Sequence, residues 1–360
     1  MADMFDYLSW RGDIPFSQVP PGAVDSLIFS SLCYIQFEGI VPTTPHRWIR
    51  LEEAALAFLS DPKALQKVRV DQDLELLAAA AACPRFQNVG MSFYRDVFIP
   101  EEDTQFAALG WYLDDGSAFL SFRGTDYTLV GWKEDFNMTF LESIPAQRLA
   151  RQYVQEFSAV SKAPIHLGGH SKGGNLAIYA GAKSEPAIQQ RIVRVYNHDG
   201  PGFTEHMMTD PGYLAIVPKI RTSVPQSSVF GMLLEREEPH TIIKSRQIGL
   251  LQHDPYTWEI MGGGFVQMQN LTADSRFLDR TFKTWLAGMS IAERNEFFDT
   301  LFELLMIDKT SRPLDILRPQ NLKSYLQNLI SDKNARSIIA SELASLLQSA
   351  WATQKQDDAQ

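Results

Sequence analysis

Cysteine is scarce in this chain, with only Cys33 and Cys83 in 360 residues. Neither lies in a Cys-x-x-Cys or His-rich pattern, which argues against a disulfide-framed module or a metal site, and both read as buried thiols. No apolar run approaches the roughly 20 residues of a membrane span, so no stable membrane insertion is predicted. Positive charge is also short. Lys and Arg total 33 against 43 Asp and Glu, a net −10, which disfavours a broad electrostatic grip on nucleic acid or anionic lipid. The first residues lack a basic stretch followed by an apolar core, so no secretory signal is expected and a cytoplasmic location is predicted. Long linkers, internal repeats and low-complexity runs are missing as well. What remains is a globular composition, 45% hydrophobic and 21% charged, long enough for one large domain with additions or for two domains.

Hydrophobic periodicity divides the chain into three stretches. Residues 1–88 read as a helical extension, with apolar stripes in Val24–Ile35, Leu51–Leu59 and Leu74–Cys83, the latter two stopped near Pro62 and Pro84. No chemistry is apparent there, and Trp10 and Trp48 read as packing residues. From Val89 the period becomes two. Strands are predicted at 91–99, 105–113 and 118–122, the last two flanking the Asp114-Asp115-Gly116 turn. Helices at 132–136 and 146–160, a strand at 164–168, a helix at 173–183, and strands at 192–196, 218–224 and 240–246 complete a core over 89–270. Beyond it, 271–360 is helical again, at 277–286, 291–305 and 335–351, with a polar, frayed end at 354–360. The order predicts an α/β fold with a central, mostly parallel sheet and helical extensions at both ends.

The centre of the core is Ala163 to Ala180, a short apolar strand, a glycine-rich turn and an Ala-rich helix. Gly169-His170-Ser171-Lys172-Gly173 fits the Gly-x-Ser-x-Gly nucleophile elbow in the strand–turn–helix context the motif requires. A serine there sits on a strained backbone with small neighbours two residues away, and the helix N-terminus behind it favours developing negative charge. The plainer alternative is an ordinary glycine-rich turn, or one that cradles a phosphate.

A serine hydroxyl needs a base, and the base needs an orienting group. In an α/β hydrolase the acid and then the histidine follow the nucleophile, which leaves His198, His206, His240 and His253 of the seven histidines. His253 follows the last predicted core strand, in a turn containing Asp254-Pro255, and is the best base. His166 reads as a strand residue, and His170 is set aside because side chains adjacent at an elbow point apart. Asp199, just after strand 192–196, is the acid by elimination, since Pro211–Leu234 holds no carboxylate. One oxyanion donor is the N–H of Lys172, whose side chain is a separate question because a lysine after the nucleophile can simply point to solvent. The other comes from the loop after strand 118–122, at Thr125.

Phe122-Arg123-Gly124-Thr125 with Trp132 and Asp135, then the elbow, then His253 with Trp258, resembles the class 3 (fungal-type) lipase family. The opening Asp6–Asp13 is similar to an uncharacterised bacterial lipase-like branch of it. The motifs cover about 90–260. The resemblance implies an α/β-hydrolase fold, an oxyanion donor at Thr125 and a lid over 126–140, where Leu129, Val130, Trp132 and Phe136 would face substrate. The chain departs from the family in two places. Lys172 stands where leucine is usual, and Ser227-Ser228 stand where the acid usually falls.

The combined expectation is a serine hydrolase cleaving a carboxylic ester, small or lipid, through an acyl-enzyme on Ser171, with no metal and no other cofactor. Acyl transfer or thioester cleavage would use the same residues, and a non-catalytic binding protein could keep the same fold.

Overall fold

The computed structural model describes residues 1–126, 128–305, 329 and 332–358. The chain divides into two compact units. The first comprises Met1–Val97, Phe106–Gly124 and Ala146–Leu271; the second comprises Phe98–Gln105, Thr125–Pro145 and Thr272–Gln360.

An eight-stranded sheet organises the first unit, with its strands side by side in chain order. They are β1 (Trp48–Arg50), β2 (Gly90–Ile99), β3 (Thr104–Tyr112), β4 (Ala118–Phe122), β5 (Ile165–His170), β6 (Ile192–His198), β7 (Ile220–Pro225) and β8 (His240–Ile243). β1 and β2 are antiparallel, as are β3 and β4. From β4 to β8 every neighbour is parallel. Together with the flanking helices, this is an α/β-hydrolase fold. The β3–β4 turn is made by the residues the pattern singles out: Asp115 Oδ1 accepts from Ser117 N at 2.8 Å and Ser117 Oγ at 2.6 Å, and Gly116 takes φ +81°. Every residue of β4 and β5 is buried, which explains why these strands show little alternation. A parallel sheet covered on both faces needs none.

The helices of the first 88 residues belong to this unit. The helix Ala23–Leu32 packs on β4, β5 and β6 and is buried from Val24 to Leu32. Phe29 fills the space between helix and sheet, its ring centroid 5.0 Å from those of Trp111 and Phe119 and 5.2 Å from that of Phe86. Behind it the Arg85 guanidinium meets Asp25 at 2.7 Å and also donates to the carbonyls of Ile14 and Val19. Tyr7 donates to the same carboxylate at 2.9 Å. The buried ion pair thus has the additional hydrogen bonds that make burial of charge tolerable. Trp10 and Trp48, expected to be packing residues, are half exposed. Both thiols are buried and unpaired, as expected from their setting, and burial pushes Cys33 up to about 12.

The second unit is helical. Leu129–Asn137, Ala273–Ala287, Ile291–Leu305 and Lys333–Asp358 surround an apolar cluster of Leu129, Phe140, Trp285, Leu286, Met289, Phe297, Phe298 and Phe302. Lys133 ties the unit together by meeting Asp103 at 2.8 Å and Asp299 at 2.9 Å. The last helix extends to Asp358, past the start of the stretch expected to fray; residues 359–360 lie outside the described residues. Among the described residues no helix is long and apolar enough to cross a membrane.

Candidate active site

β5 ends at His170 and the next helix begins at Lys172, leaving Ser171 alone between them at φ 58°, ψ −134°. For a residue with a Cβ this is a strained conformation, and its neighbours hold it. Ser171 N donates to the His198 carbonyl at 2.9 Å, and Gly174 N donates to the Ser171 carbonyl at 2.9 Å. The elbow glycines are required by space. A Cβ on Gly169 would lie 2.1 Å from the Gly173 backbone, and one on Gly173 would lie 2.1 Å from the Phe122 carbonyl oxygen. Gly124 presses on the elbow from β4, where a Cβ would fall 2.5 Å from the His170 carbonyl oxygen and 3.0 Å from Ser171 Cβ. The arginine of the Phe-Arg-Gly-Thr motif anchors that approach. Its guanidinium makes two 2.9 Å bonds to Asp96.

Asp199 follows β6 at φ +56° and is 1% exposed. Its N–H donates to the Ser223 carbonyl at 2.8 Å. One carboxylate oxygen, Oδ2, lies 2.6 Å from His253 Nδ1. The other, Oδ1, accepts from Ser228 Oγ at 2.5 Å. The serine that stands where the family's acid usually falls therefore holds the Asp199 carboxylate. The Asp199 turn is fixed from below by Asn197 Oδ1, which accepts from Gly200 N at 2.9 Å, and by Asn175, which donates to the Gly202 carbonyl at 2.8 Å.

His253 ends a short 3-10 turn, Gly249–His253, and its side chain is 23% exposed. Its ring lies against two others, with the centroids of His170 and Phe230 each 4.6 Å away. Asp254 is occupied locally, accepting from Tyr256 N at 3.1 Å.

His170, set aside as the base because side chains adjacent at an elbow point apart, lies against His253: its Nε2 is 2.8 Å from the His253 carbonyl oxygen and its Nδ1 is 3.0 Å from Tyr34 Oη. Burial and the neighbouring His253 hold it well below the ordinary histidine range, so the ring is neutral. The Lys172 side chain, on which the sequence is open, is 1% exposed. The stretch 1–88, which showed no chemistry, sends Tyr34, Arg69 and Asp73 to the His253 loop. Arg69 stacks over the Tyr34 ring at 3.9 Å and donates twice to Asp73, and Tyr256 Oη donates to Asp73 at 2.7 Å. The sequence signal for these was faint. Tyr256 sits within the turn that nominated His253, but nothing local marks Tyr34 or Asp73.

The other sheet histidines are structural. His198 Nε2 meets Ser26 Oγ at 2.6 Å, and burial pushes it down to about 3; burial takes His166 down to about 4. Thr125 belongs to the second unit, where its hydroxyl donates to Asp135. Of the residues expected to face substrate from a lid, Leu129 is buried in the second unit's apolar cluster and Phe136 stacks on Phe298 at 4.7 Å, whereas Trp132 is exposed. Position 127 of that stretch lies outside the described residues. Among the described residues no group of His, Cys, Asp or Glu side chains is placed to hold a metal ion.

The fold is that of a lipase-like α/β hydrolase. A sequence model of the Mbeg1-like family, a lipase-like family, matches residues 80–303, and the chain belongs to that family. No curated protein matches the chain. Among solved structures, a mutant form of MDLA from Penicillium cyclopium is similar at 14% identity, over 61% of this chain and 77% of that one, with a TM-score of 0.35.

Proposed function

We propose that the chain is a serine hydrolase that cleaves carboxylic esters, small or lipid, through an acyl-enzyme on Ser171. The observation that carries this reading is the 2.6 Å contact between His253 Nδ1 and Asp199 Oδ2 beside a strained elbow serine. With Nδ1–H given to the carboxylate, the neutral ring keeps its lone pair on Nε2 for the Ser171 hydroxyl. Ser171 Oγ bonds to the ester carbonyl carbon as its proton passes to His253. The tetrahedral intermediate collapses, the C–O bond to the alcohol breaks, and the alcohol leaves with that proton. Water, deprotonated by His253, then releases the acid and frees Ser171. The Lys172 N–H at the helix start is an oxyanion donor.

Labelling with a fluorophosphonate probe tests this reading. Wild type is expected to label, and Ser171→Ala and His253→Ala to lose labelling. A folded wild type that takes no label would sink it. A chain-length series of nitrophenyl esters then separates esterase from lipase preference.

A further inference from the structure

The loop that carries His253 is held by its carbonyls. The Gln252 carbonyl accepts from Trp258 Nε1 at 2.8 Å, and the Asp254 carbonyl accepts from Thr257 Oγ1 at 2.7 Å. Both donors come from within a few residues. The His253 carbonyl between them is held from the elbow instead, by His170 Nε2 at 2.8 Å. A carbonyl oxygen can only accept, so Nε2 carries the proton. In the neutral ring Nδ1 then has a lone pair, and it accepts from Tyr34 Oη at 3.0 Å. One tautomer satisfies both contacts, and the fully buried setting of His170 keeps the ring in it.

Tyr34 is itself fixed. The Arg69 guanidinium lies 3.9 Å over its ring, Arg69 is paired with Asp73, and Asp73 accepts from Tyr256 Oη at 2.7 Å. The circuit leaves the His253 loop through His170 and returns to it through Tyr256. Two of its members come from the sheet and loop, and three come from the helical first stretch of the chain.

We infer that His170, the residue preceding the nucleophile, is a positioning residue: through its tie to the His253 main chain, oriented by Tyr34, it sets where the base stands relative to Asp199 and Ser171. The inference rests on the reading of Ser171 and His253 as nucleophile and base. Its hydrogen bond goes to the main chain of His253, and its ring lies 4.6 Å from the His253 ring. Its effect passes through the placement of that residue.

The test compares wild type, His170→Gln, His170→Phe and Tyr34→Phe. Glutamine can place an amide donor near the site of Nε2, whereas phenylalanine fills the space without a donor. Two readouts are taken at matched thermal midpoints: the rate of fluorophosphonate labelling, and the downfield proton signal of the His253–Asp199 hydrogen bond, assigned by its loss in His253→Ala. His170→Phe is expected to slow labelling on the order of 100-fold, the scale of a misplaced catalytic group, and to broaden or abolish the proton signal. His170→Gln should recover most of both. Tyr34→Phe, which removes only a hydroxyl and should fold even if His170→Phe does not, is expected to slow labelling several-fold. The inference is overturned if His170→Phe or Tyr34→Phe keeps both wild-type readouts, or if His170→Gln is as impaired as His170→Phe. An unlabelled wild type would count against the hydrolase reading alone, because the proton signal still reports on the tie.

Discussion

Ser228 Oγ stands 2.5 Å from Oδ1 of Asp199, on the side of the carboxylate away from His253. Ser228 also accepts from Gly231 N at 3.0 Å, so its hydroxyl proton is directed at the acid. A hydrogen bond to a charged group contributes about 1.5–3 kcal/mol. Ser228→Ala is therefore expected to slow fluorophosphonate labelling by about 10- to 100-fold, with Ser228→Thr close to wild type. An unchanged rate in Ser228→Ala would mean that Asp199 is held without it.

Gly231 faces the same carboxylate. A Cβ there would lie 2.1 Å from Asp199 Oδ1 and 2.8 Å from a Val224 methyl. Gly231→Ala must therefore displace the acid or the 3-10 turn Phe230–Met232 that carries the ring against His253. Overpacking of this kind costs about 1–3 kcal/mol, and both urea stability and labelling rate are expected to fall. A variant as stable and as reactive as wild type would contradict the packing described.

Acid should destabilise the sheet through its buried histidines. His166 and His198 are pushed down by burial to about 4 and about 3 from an ordinary value of 6.5. The folded state thus binds fewer protons than the unfolded one once pH drops through 6.5, and stability falls with pH until the folded-state values are reached. Between pH 7 and pH 5 each histidine is expected to remove about 2 kcal/mol. Urea titrations of wild type and His198→Gln at the two pH values check this. The variant should show a smaller difference by about that amount, and an equal difference would refute it.

The Asp25–Arg85 pair is expected to be costly to break from one side. Arg85→Met leaves a carboxylate that is 1% exposed and faces the neutral donors Tyr7 Oη and Gly22 N, and loss of one partner of a buried pair costs about 3–5 kcal/mol. The double variant Asp25→Leu, Arg85→Met should be less destabilised than Arg85→Met alone, as chemical denaturation can show. Additive losses would argue against a coupled pair.

Much of this fold is legible along the chain because its signals are local. The Asp114–Gly116 turn, the buried run of β5, and the helices ending at Ala182 and Leu305 each follow from residues within a few positions. The elbow is local too. His253 and Asp199 needed chain order and the absence of carboxylates over 211–234, and the two side chains lie 2.6 Å apart. What stayed hidden depends on distant contacts. The three-residue strand Trp48–Arg50 is too short to show a period. Tyr34 gains its meaning only from a histidine 136 positions away. His170 was set aside as the base because neighbouring side chains at an elbow diverge, and nothing local shows that its direction of divergence leads to the His253 carbonyl. Lys172 shows that a charged residue type does not foretell exposure once the helix it begins is buried along its length.

The tie from Asp73 to Tyr256 spans 183 positions, which bears on how the protein comes to be folded. In a chain made from its amino end, Asp73 and the helices around it wait for all eight strands of the sheet and for the elbow before their partner exists. Contacts of such separation form late, so the segment bearing His253 is expected to be among the last to settle. Until it does, the nascent chain holds a finished elbow without His253 beside it, and an apolar helical surface that later synthesis has yet to cover.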